Sequence, residues 1–143
     1  MAPKGKKLEN DVKKYLKDKG TFHHKLHDSH SARGLIAPVP SDFIIFSDVG
    51  PAILLECKET QKLKLPLTAF RPSQLKAMRS SLDLESVNYY VIIKGTEGYF
   101  LVHGDEIVDL LDSDESSIDL EKCYWGFKDM NGILHMMFED NLL

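Results

Sequence analysis

The sequence has few of the features that mark secreted or membrane proteins. It contains only two cysteines, Cys57 and Cys123, and their spacing matches no disulfide framework and no metal-binding pattern. No apolar run approaches the roughly 20 residues that a membrane-spanning helix needs. The N-terminal segment is basic and then amphipathic, without the apolar core of a secretory signal. We therefore expect a cytoplasmic protein with reduced thiols and no membrane association.

The net charge of −4 is unevenly distributed along the 143 residues. Lys and Arg exceed Asp and Glu by five from Met1 to Leu35, the two balance from Ile36 to His103, and acidic residues exceed basic ones by nine from Gly104 to Leu143. The basic end suits a polyanion such as DNA, whereas the acidic end would repel one. For the acidic third we expect a role in solubility or a surface for a protein partner.

The length predicts a single domain over residues 1–143, and the periodicity predicts its elements. Apolar residues at Leu8, Val12, Tyr15 and Leu16 predict an amphipathic helix over Lys6–Lys19 that ends at Gly20. Further helices are predicted from Pro72 to Leu84 and from Asp105 to Leu111, and strands at Thr21–His27, Asp42–Phe46, Ala52–Lys58, Asn88–Lys94 and Tyr99–His103.

Three other segments complete the prediction. Residues 28–34 read as a polar loop, and Glu59–Arg71 as an irregular segment that contains Pro66. Near the end of the chain, YWGF and ILHMMF are expected to form a closing hairpin. The order of elements predicts an α/β (α+β) fold, a mixed β-sheet flanked by helices.

Two acidic residues and a lysine are brought together by a predicted hairpin. Alternation along the second strand places Leu54, Glu56 and Lys58 on one face, and the hairpin could bring Asp42 near Glu56. Neighbouring carboxylates repel unless one is protonated or a cation lies between them. Mg²⁺ favours such oxygen ligands, and the Lys58 ammonium could stabilise a hydroxide or a phosphate. The alternative is a surface ion pair, which contributes only about 0–1 kcal/mol.

These residues carry a resemblance to a known family. Asp42 followed by Glu56-Cys57-Lys58 resembles the D…(D/E)-x-K signature of the PD-(D/E)XK nuclease superfamily, with one residue separating Pro40 from the aspartate. The stretch ECKETQKLKLPLTAFRPSQLKAM looks like part of the RecU-type Holliday-junction resolvases. The G-K-x-L-E-x-x-V pattern from Gly5 to Val12 is similar to the helix that supplies a further acidic group in that family. The resemblance covers about the first two-thirds of the chain.

The resemblance implies a restriction-endonuclease-like nuclease core and a role for each matching residue. Asp42 and Glu56 would be metal ligands together with the main-chain carbonyl of Cys57, and Glu9 would be a catalytic acid that either supports these ligands or binds a second metal ion. Lys58 would be the catalytic amine, and Gln74 would position the attacking water or the scissile phosphate. Mg²⁺ would be the cofactor, with Mn²⁺ able to substitute, and a homodimer would cut branched DNA.

Basic and polar residues flanking this motif are the candidate DNA contacts. They are Lys4, Lys6, Lys7, His30, Ser31, Arg33, Lys62, Lys64 and Arg71. The alternative is that these residues are the solvated face of a helix and an ordinary polar loop. The histidines at positions 23, 24, 27 and 30 lack the partner ligands that a zinc site needs.

The family's junction-entering stalk has little room here, because the run from Leu35 to Asp42 is short. A nuclease acting on DNA ends, flaps or duplex is therefore an alternative to a junction resolvase, and so compact a form would suit a phage. A third alternative is a DNA-binding or scaffold protein that keeps the fold without catalysis. Testing Mg²⁺-dependent cleavage on several DNA shapes would distinguish these functions.

Overall fold

The structure, a computed structural model, describes residues 6–26, 29–30, 36–47, 49–122 and 126–142, and of residues 29–30 and 36–37 only the backbone. Its helices are α1 (Lys6–Lys19), α2 (Pro72–Ser81), α3 (Gly104–Asp112) and α4 (Met130–Asn141). Its strands are β1 (His23–Lys25), β2 (Ser29–His30), β3 (Ile36–Ala37), β4 (Phe43–Ile45), β5 (Ala52–Glu59), β6 (Lys64–Pro66), β7 (Val87–Lys94), β8 (Tyr99–His103), β9 (Ser117–Asp119) and β10 (Gly126–Phe127). Two 3-10 turns cover Leu67–Ala69 and Leu120–Lys122.

A six-stranded mixed sheet organises the molecule. Its strand order is β1-β4-β5-β7-β8-β10, and two smaller sheets pair β2 with β3 and β6 with β9. Strands β5 and β7 are parallel, whereas the other neighbours in the large sheet are antiparallel. The chain returns from β5 to β7 through α2, as a parallel pair requires. The expected mixed α+β fold with a sheet flanked by helices is confirmed.

Helices cover both faces of the sheet. On one face, Leu55 and Tyr90 pack in a core with Val12 of α1 and Met137 of α4. On the other face, the buried side chains of β7 pack with α2, α3 and the small β6–β9 sheet. Each fully buried aliphatic side chain stabilises the fold by about 1.5–3 kcal/mol. Because β5 and β7 are covered on both sides, the residues that they carry are held rigidly.

Helix α1 begins and ends as its pattern predicts. Leu8, Val12 and Leu16 are buried along one face. Gly20 has a φ of +75°, the left-handed conformation that favours glycine after a helix. Its N–H donates to the Lys17 carbonyl at 3.0 Å, and the Thr21 N–H donates to the Leu16 carbonyl at 3.1 Å. These two hydrogen bonds and the glycine conformation end the helix at Lys19.

The predicted closing hairpin is wrong. Residues 126–127 do form a strand, but the ILHMMF run lies within α4. Ile133, Leu134 and Met137 are fully buried at a helical spacing. Asp129 caps the start of the helix, and its side chain accepts a hydrogen bond from the Gly132 N–H at 2.7 Å. Burial of one helical face and this N-cap outweigh the extended preference that the apolar run suggests.

Other boundaries also differ from the sequence prediction. The segment Glu59–Arg71 is not wholly irregular, since β6 and a 3-10 turn lie within it, and Leu65 of β6 is buried opposite Ile118 of β9. Helix α2 ends at Ser81 rather than Leu84, and the first strand spans only His23–Lys25. Within residues 28–34, the backbone of residues 29–30 pairs with that of residues 36–37, and the rest lies outside the described residues. None of the helices in the described part of the chain is long and apolar enough to cross a membrane.

Candidate active site

Asp42 and Glu56 meet where β4 and β5 pair. Phe43 pairs with Leu55 in the antiparallel register, so Asp42, one residue earlier, lies across from Glu56. The Oδ2 atom of Asp42 accepts a hydrogen bond from the Cys57 N–H at 2.9 Å. The hairpin therefore holds one oxygen of Asp42 against the strand that carries Glu56.

Glu56 is buried, with 2% of its surface exposed. Its Oε2 atom accepts from the Gln74 side-chain nitrogen at 2.8 Å and lies 3.1 Å from the Lys58 ammonium. Its Oε1 atom is buried without a hydrogen-bond partner. A buried carboxylate oxygen without a partner is costly, and it is the feature that a cation or a water molecule would satisfy.

The environment makes both carboxyl groups harder to ionise. Burial, and then the nearby charge of Asp42, raise the pKa of Glu56 to about 7 against the opposing effect of Lys58. The pKa of Asp42 is also raised, because burial outweighs the hydrogen bond from the Cys57 amide, which lowers it. Bringing a divalent ion to this pair would favour the ionised forms.

Gln74 connects the acidic pair to helix α2. It is 1% exposed, and its Oε1 atom accepts from the Arg71 N–H at 2.9 Å while its nitrogen donates to Glu56. One amide thus caps the start of the helix and fixes the rotamer of the acid. Its position after Pro72 in the sequence was the signal for this residue.

Three residues that the sequence did not single out hold the segment before Asp42. The Tyr89 hydroxyl donates to the Pro40 carbonyl at 2.6 Å, the Ser73 hydroxyl to the Val39 carbonyl at 3.1 Å, and the buried Ser41 hydroxyl to the Phe43 carbonyl at 2.8 Å. Burial raises the pKa of Tyr89, so its hydroxyl stays a donor. The contacts of Tyr89 and Ser73 come from distant elements, and no local pattern in the sequence indicates them.

Glu9 and Lys25 form the other side of the site. The Lys25 ammonium lies 2.7 Å from Glu9 Oε1 and 3.7 Å from Asp42 Oδ1. Burial lowers the pKa of Lys25, but the hydrogen bond to Glu9 and the charge of Asp42 outweigh burial, so the pKa is raised. Lys25 was missed because a lysine at the end of a short strand carries no signal of its own.

The side chains predicted to be catalytic line one open cleft of about 360 Å³, here called the acidic cleft. Its lining residues are Glu9, Asp42, Glu56, Cys57, Lys58, Glu59, Arg71 and Gln74. The structure thus places all five residues expected to be catalytic at one surface. Within the described ranges, however, no three acidic, histidine or cysteine side chains form a group that could hold a metal ion. Glu9 therefore shares the cleft without joining Asp42 and Glu56 in a common ligand set.

The donor set of Asp42 and Glu56 fits a hard divalent cation. Mg²⁺ is commonly bound by one or two carboxylates, with water and substrate phosphate completing its shell. Glu56 Oε1 has no hydrogen-bond partner, and Asp42 Oδ1 lies 3.7 Å from the Lys25 ammonium. The ligand role of the Cys57 carbonyl stays a prediction. The Cys57 thiol packs in the core on the opposite face of the strand.

The predicted DNA contacts are dispersed. Arg71 lines the acidic cleft, whereas Lys64 lines a separate cavity of about 720 Å³ beside α3. Lys6, Lys7 and Lys62 are exposed away from the lining, and Lys7 pairs with Asp11 at 3.0 Å. Lys4, Ser31 and Arg33, and the side chain of His30, lie outside the described residues.

The larger cavity beside α3 holds none of the residues predicted for chemistry. Acidic side chains such as Glu106, Asp109 and Asp119 line it together with Lys64 and Lys122. Among the described residues that line it, no buried acid, amine and amide converge as they do in the acidic cleft. We therefore take the smaller cleft as the candidate active site.

Comparison with known proteins supports the fold. No protein-family model matches the sequence, and no curated protein matches it either. The mixed sheet flanked by helices is consistent with a restriction-endonuclease-like fold. Among solved structures, the chain is similar to Hjc of Archaeoglobus fulgidus, a Holliday junction resolvase from an archaeal hyperthermophile, with 15% identity and a TM-score of 0.59 over 87% of this chain and 95% of that chain. At this identity the likeness shows a shared fold.

Proposed function

We propose that this protein is a Mg²⁺-dependent endonuclease that hydrolyses phosphodiester bonds in branched DNA. The observation that carries the proposal is the arrangement of the buried Glu56 next to Asp42. Its Oε1 atom has no hydrogen-bond partner, and its Oε2 atom is held by Lys58 and Gln74. The shared fold with an archaeal Holliday junction resolvase supports the same reaction class. The resemblance to RecU-type resolvases adds the roles of individual residues.

Asp42 and Glu56 would hold the metal ion, and their own contacts define how. The Cys57 N–H fixes Asp42 Oδ2, and Gln74 fixes Glu56 Oε2, which leaves one oxygen of each acid for the ion. Bound there, Mg²⁺ supplies Lewis acidity toward a phosphate oxygen and neutralises its charge.

Lys58 would act on the attacking water or on the phosphate. Its ammonium lies 3.1 Å from Glu56 and 5.1 Å from the centre of the Phe70 ring, so its position is restricted on two sides. A fixed positive charge stabilises negative charge that develops in the transition state. Arg71 at the rim of the acidic cleft would contact the DNA backbone, since phosphate contacts position nucleic acids.

The assay that tests this function compares cleavage of a synthetic four-way junction, a flap and a linear duplex of equal length. We expect Mg²⁺-dependent cleavage with preference for the junction, a loss of cleavage in Asp42→Asn, and weaker binding at higher salt. Equal cleavage by Asp42→Asn would refute the assignment of the site. Absence of Mg²⁺ binding with retained DNA binding would instead favour a non-catalytic DNA-binding or scaffold protein.

A second candidate is a nuclease of the same superfamily that acts on DNA ends, flaps or plain duplex. The short segment between Leu35 and Asp42 favours it, because that segment leaves little room for a stalk that enters a junction. Preference for the flap or duplex in the same assay would select this candidate.

We also propose that the protein acts as a homodimer. Symmetrical cleavage of both strands of a junction needs two active sites, and each chain provides one acidic cleft. Measuring the mass in solution tests this directly, and a strictly monomeric protein would favour the second candidate.

A further inference from the structure

Lys25 is a second amine, partly buried beside the acidic cleft. Only 15% of its side chain is exposed. Its ammonium lies 2.7 Å from Glu9 and donates to the Leu26 carbonyl at 3.0 Å, with Asp42 at 3.7 Å. The ring of Phe43 lies below it, with its centre 5.4 Å away. The contacts to Glu9 and to the Leu26 carbonyl direct two of the ammonium protons toward fixed acceptors.

The position of Lys25 matters because it lies between two acids expected to hold metal. A cation that bridged Glu9 and Asp42 would have to occupy the space that the ammonium now fills. The positive charge of such a cation and that of the Lys25 ammonium would repel each other strongly in a partly buried site. With Lys25 in place, Glu9 is neutralised by a lysine and is not available as a metal ligand.

The side of Asp42 that faces Glu56 differs from the side that faces Lys25. Glu56 keeps one buried oxygen without a partner, and its lysine, Lys58, contacts only the other oxygen. The acidic cleft therefore offers one open cation position between Asp42 and Glu56, and one position already filled by Lys25 beside Glu9. The absence of a metal-holding group of three acids in the described residues agrees with this division.

We infer that Lys25 is a built-in cation that takes the place of a second metal ion, so that the site holds one divalent ion between Asp42 and Glu56. Lys25 is thus a positioning residue: it holds Glu9 through a close ion pair, its charge lies 3.7 Å from Asp42, and it limits the metal count. This inference rests on the proposed function and specifies its metal stoichiometry.

The test is to count Mn²⁺ ions bound per chain by titration calorimetry on the full chain, without DNA. We expect one Mn²⁺ for the wild type and for Lys25→Arg, which keeps the charge. Lys25→Met should bind a second, weaker Mn²⁺, because Glu9 and Asp42 then lose their counter-ion. Lys76→Met is the matched control, since it removes the same charge from an exposed position on α2 and should leave one Mn²⁺ bound.

Glu9→Gln gives an independent result if Lys25→Met does not fold. Because Glu9 is paired with Lys25 and not with the metal, this variant should change Mn²⁺ affinity by less than about tenfold. Tenfold is the lower limit of the typical effect of residues that support metal ligands without binding the metal themselves. Asp42→Asn should weaken binding far more. Loss of Mn²⁺ binding in Glu9→Gln would show that Glu9 is a ligand and would overturn the inference.

Two further outcomes separate this inference from the proposed function. Two Mn²⁺ ions on the wild type, or one on a folded Lys25→Met with unchanged affinity, would overturn the role of Lys25 and leave the nuclease intact. No Mn²⁺ on the folded wild type would overturn the proposed metal dependence and the inference together.

Discussion

At the residue scale, opposing effects act on the ionisation of the Glu56 carboxyl group. Burial and the nearby Asp42 favour its neutral form, whereas Lys58 favours its ionised form. A bound metal ion would favour the ionised form of Glu56. Without one, the protein keeps an acid whose ionisation costs folding free energy.

This cost predicts a pH-dependent stability of the metal-free protein. The pKa of Glu56 is about 7 in the fold against an ordinary 4.5, so between these pH values the folded state binds more protons than the unfolded state. The free energy of unfolding therefore falls as the pH rises through this window. Glu56→Gln should be more stable than the wild type at pH 8, by up to about 3 kcal/mol, and should lose that advantage at pH 4.

Urea unfolding with a chelator at both pH values measures this difference. Glu97→Gln, a change at an exposed position between β7 and β8, is the control and should show no such pH-dependent gain. A Glu56→Gln variant that is destabilised equally at both pH values would contradict the prediction.

Gln74 provides a second prediction at the same scale. Gln74→Ala removes the donor to Glu56 Oε2 and leaves the Arg71 N–H without its acceptor. Because a residue that orients a metal ligand is typically worth about 10- to 100-fold, cleavage of the preferred DNA should slow by that factor. Steady-state kinetics at saturating Mg²⁺ measures the effect, and Gln61→Ala at an exposed position should leave the rate unchanged.

The sequence could reveal some residues of the acidic cleft and not others. Asp42, Glu56 and Lys58 lie on one hairpin, so alternation and turn signals suffice to bring them together. Lys25 and Tyr89 reach the site from other strands, and their contacts exist only once the sheet has formed. Short-range patterns do not contain that information.

At the element scale, α4 shows where pattern and packing disagree. The apolar run beginning at Ile133 resembles a strand, yet every buried position in it follows the helical period. The strands β4, β5, β7 and β8 were predictable, because their apolar runs are bounded by clear turns. The β6–β9 pair was not, since its short strands gain stability only from each other and the core beneath them.

The cap of α4 yields a prediction about stability. Asp129→Ala removes the acceptor for the Gly132 N–H and should lower the free energy of unfolding by about 1 kcal/mol. Asp129→Asn keeps an acceptor and should be nearly neutral. Thermal or urea unfolding distinguishes the two variants, and an equal loss in both would show that the charge, not the cap, stabilises the helix.

At the scale of the whole molecule, the acidic C-terminal third is part of the fold. Asp140 of α4 accepts from the Tyr90 hydroxyl and lies against His103, each at 2.6 Å. The structural likeness to the archaeal resolvase spans 87% of the chain and so extends into this segment. The sequence resemblance stops earlier, because these residues serve packing rather than a motif.

A truncation tests this integration. A chain that ends at Lys128 lacks α4 and exposes the face of α1 that packs against it, so it should lose cooperative unfolding and tertiary structure. Near-ultraviolet circular dichroism provides the measurement. Neutralising the exposed Glu115 and Glu121 is the control and should preserve the fold. A truncated chain that folds normally would mean that the segment is an appendage.

The two bonds of Gln74 have a consequence for measurement. Its amide holds both the Arg71 N–H at the start of α2 and the carboxylate of Glu56. Exchange of the Arg71 amide proton with solvent deuterium requires its hydrogen bond to Gln74 to open, and a movement of Gln74 also removes one of the two contacts that hold Glu56 Oε2. The exchange rate of this single backbone proton therefore reports how often the site opens. Nuclear magnetic resonance can measure it without a substrate.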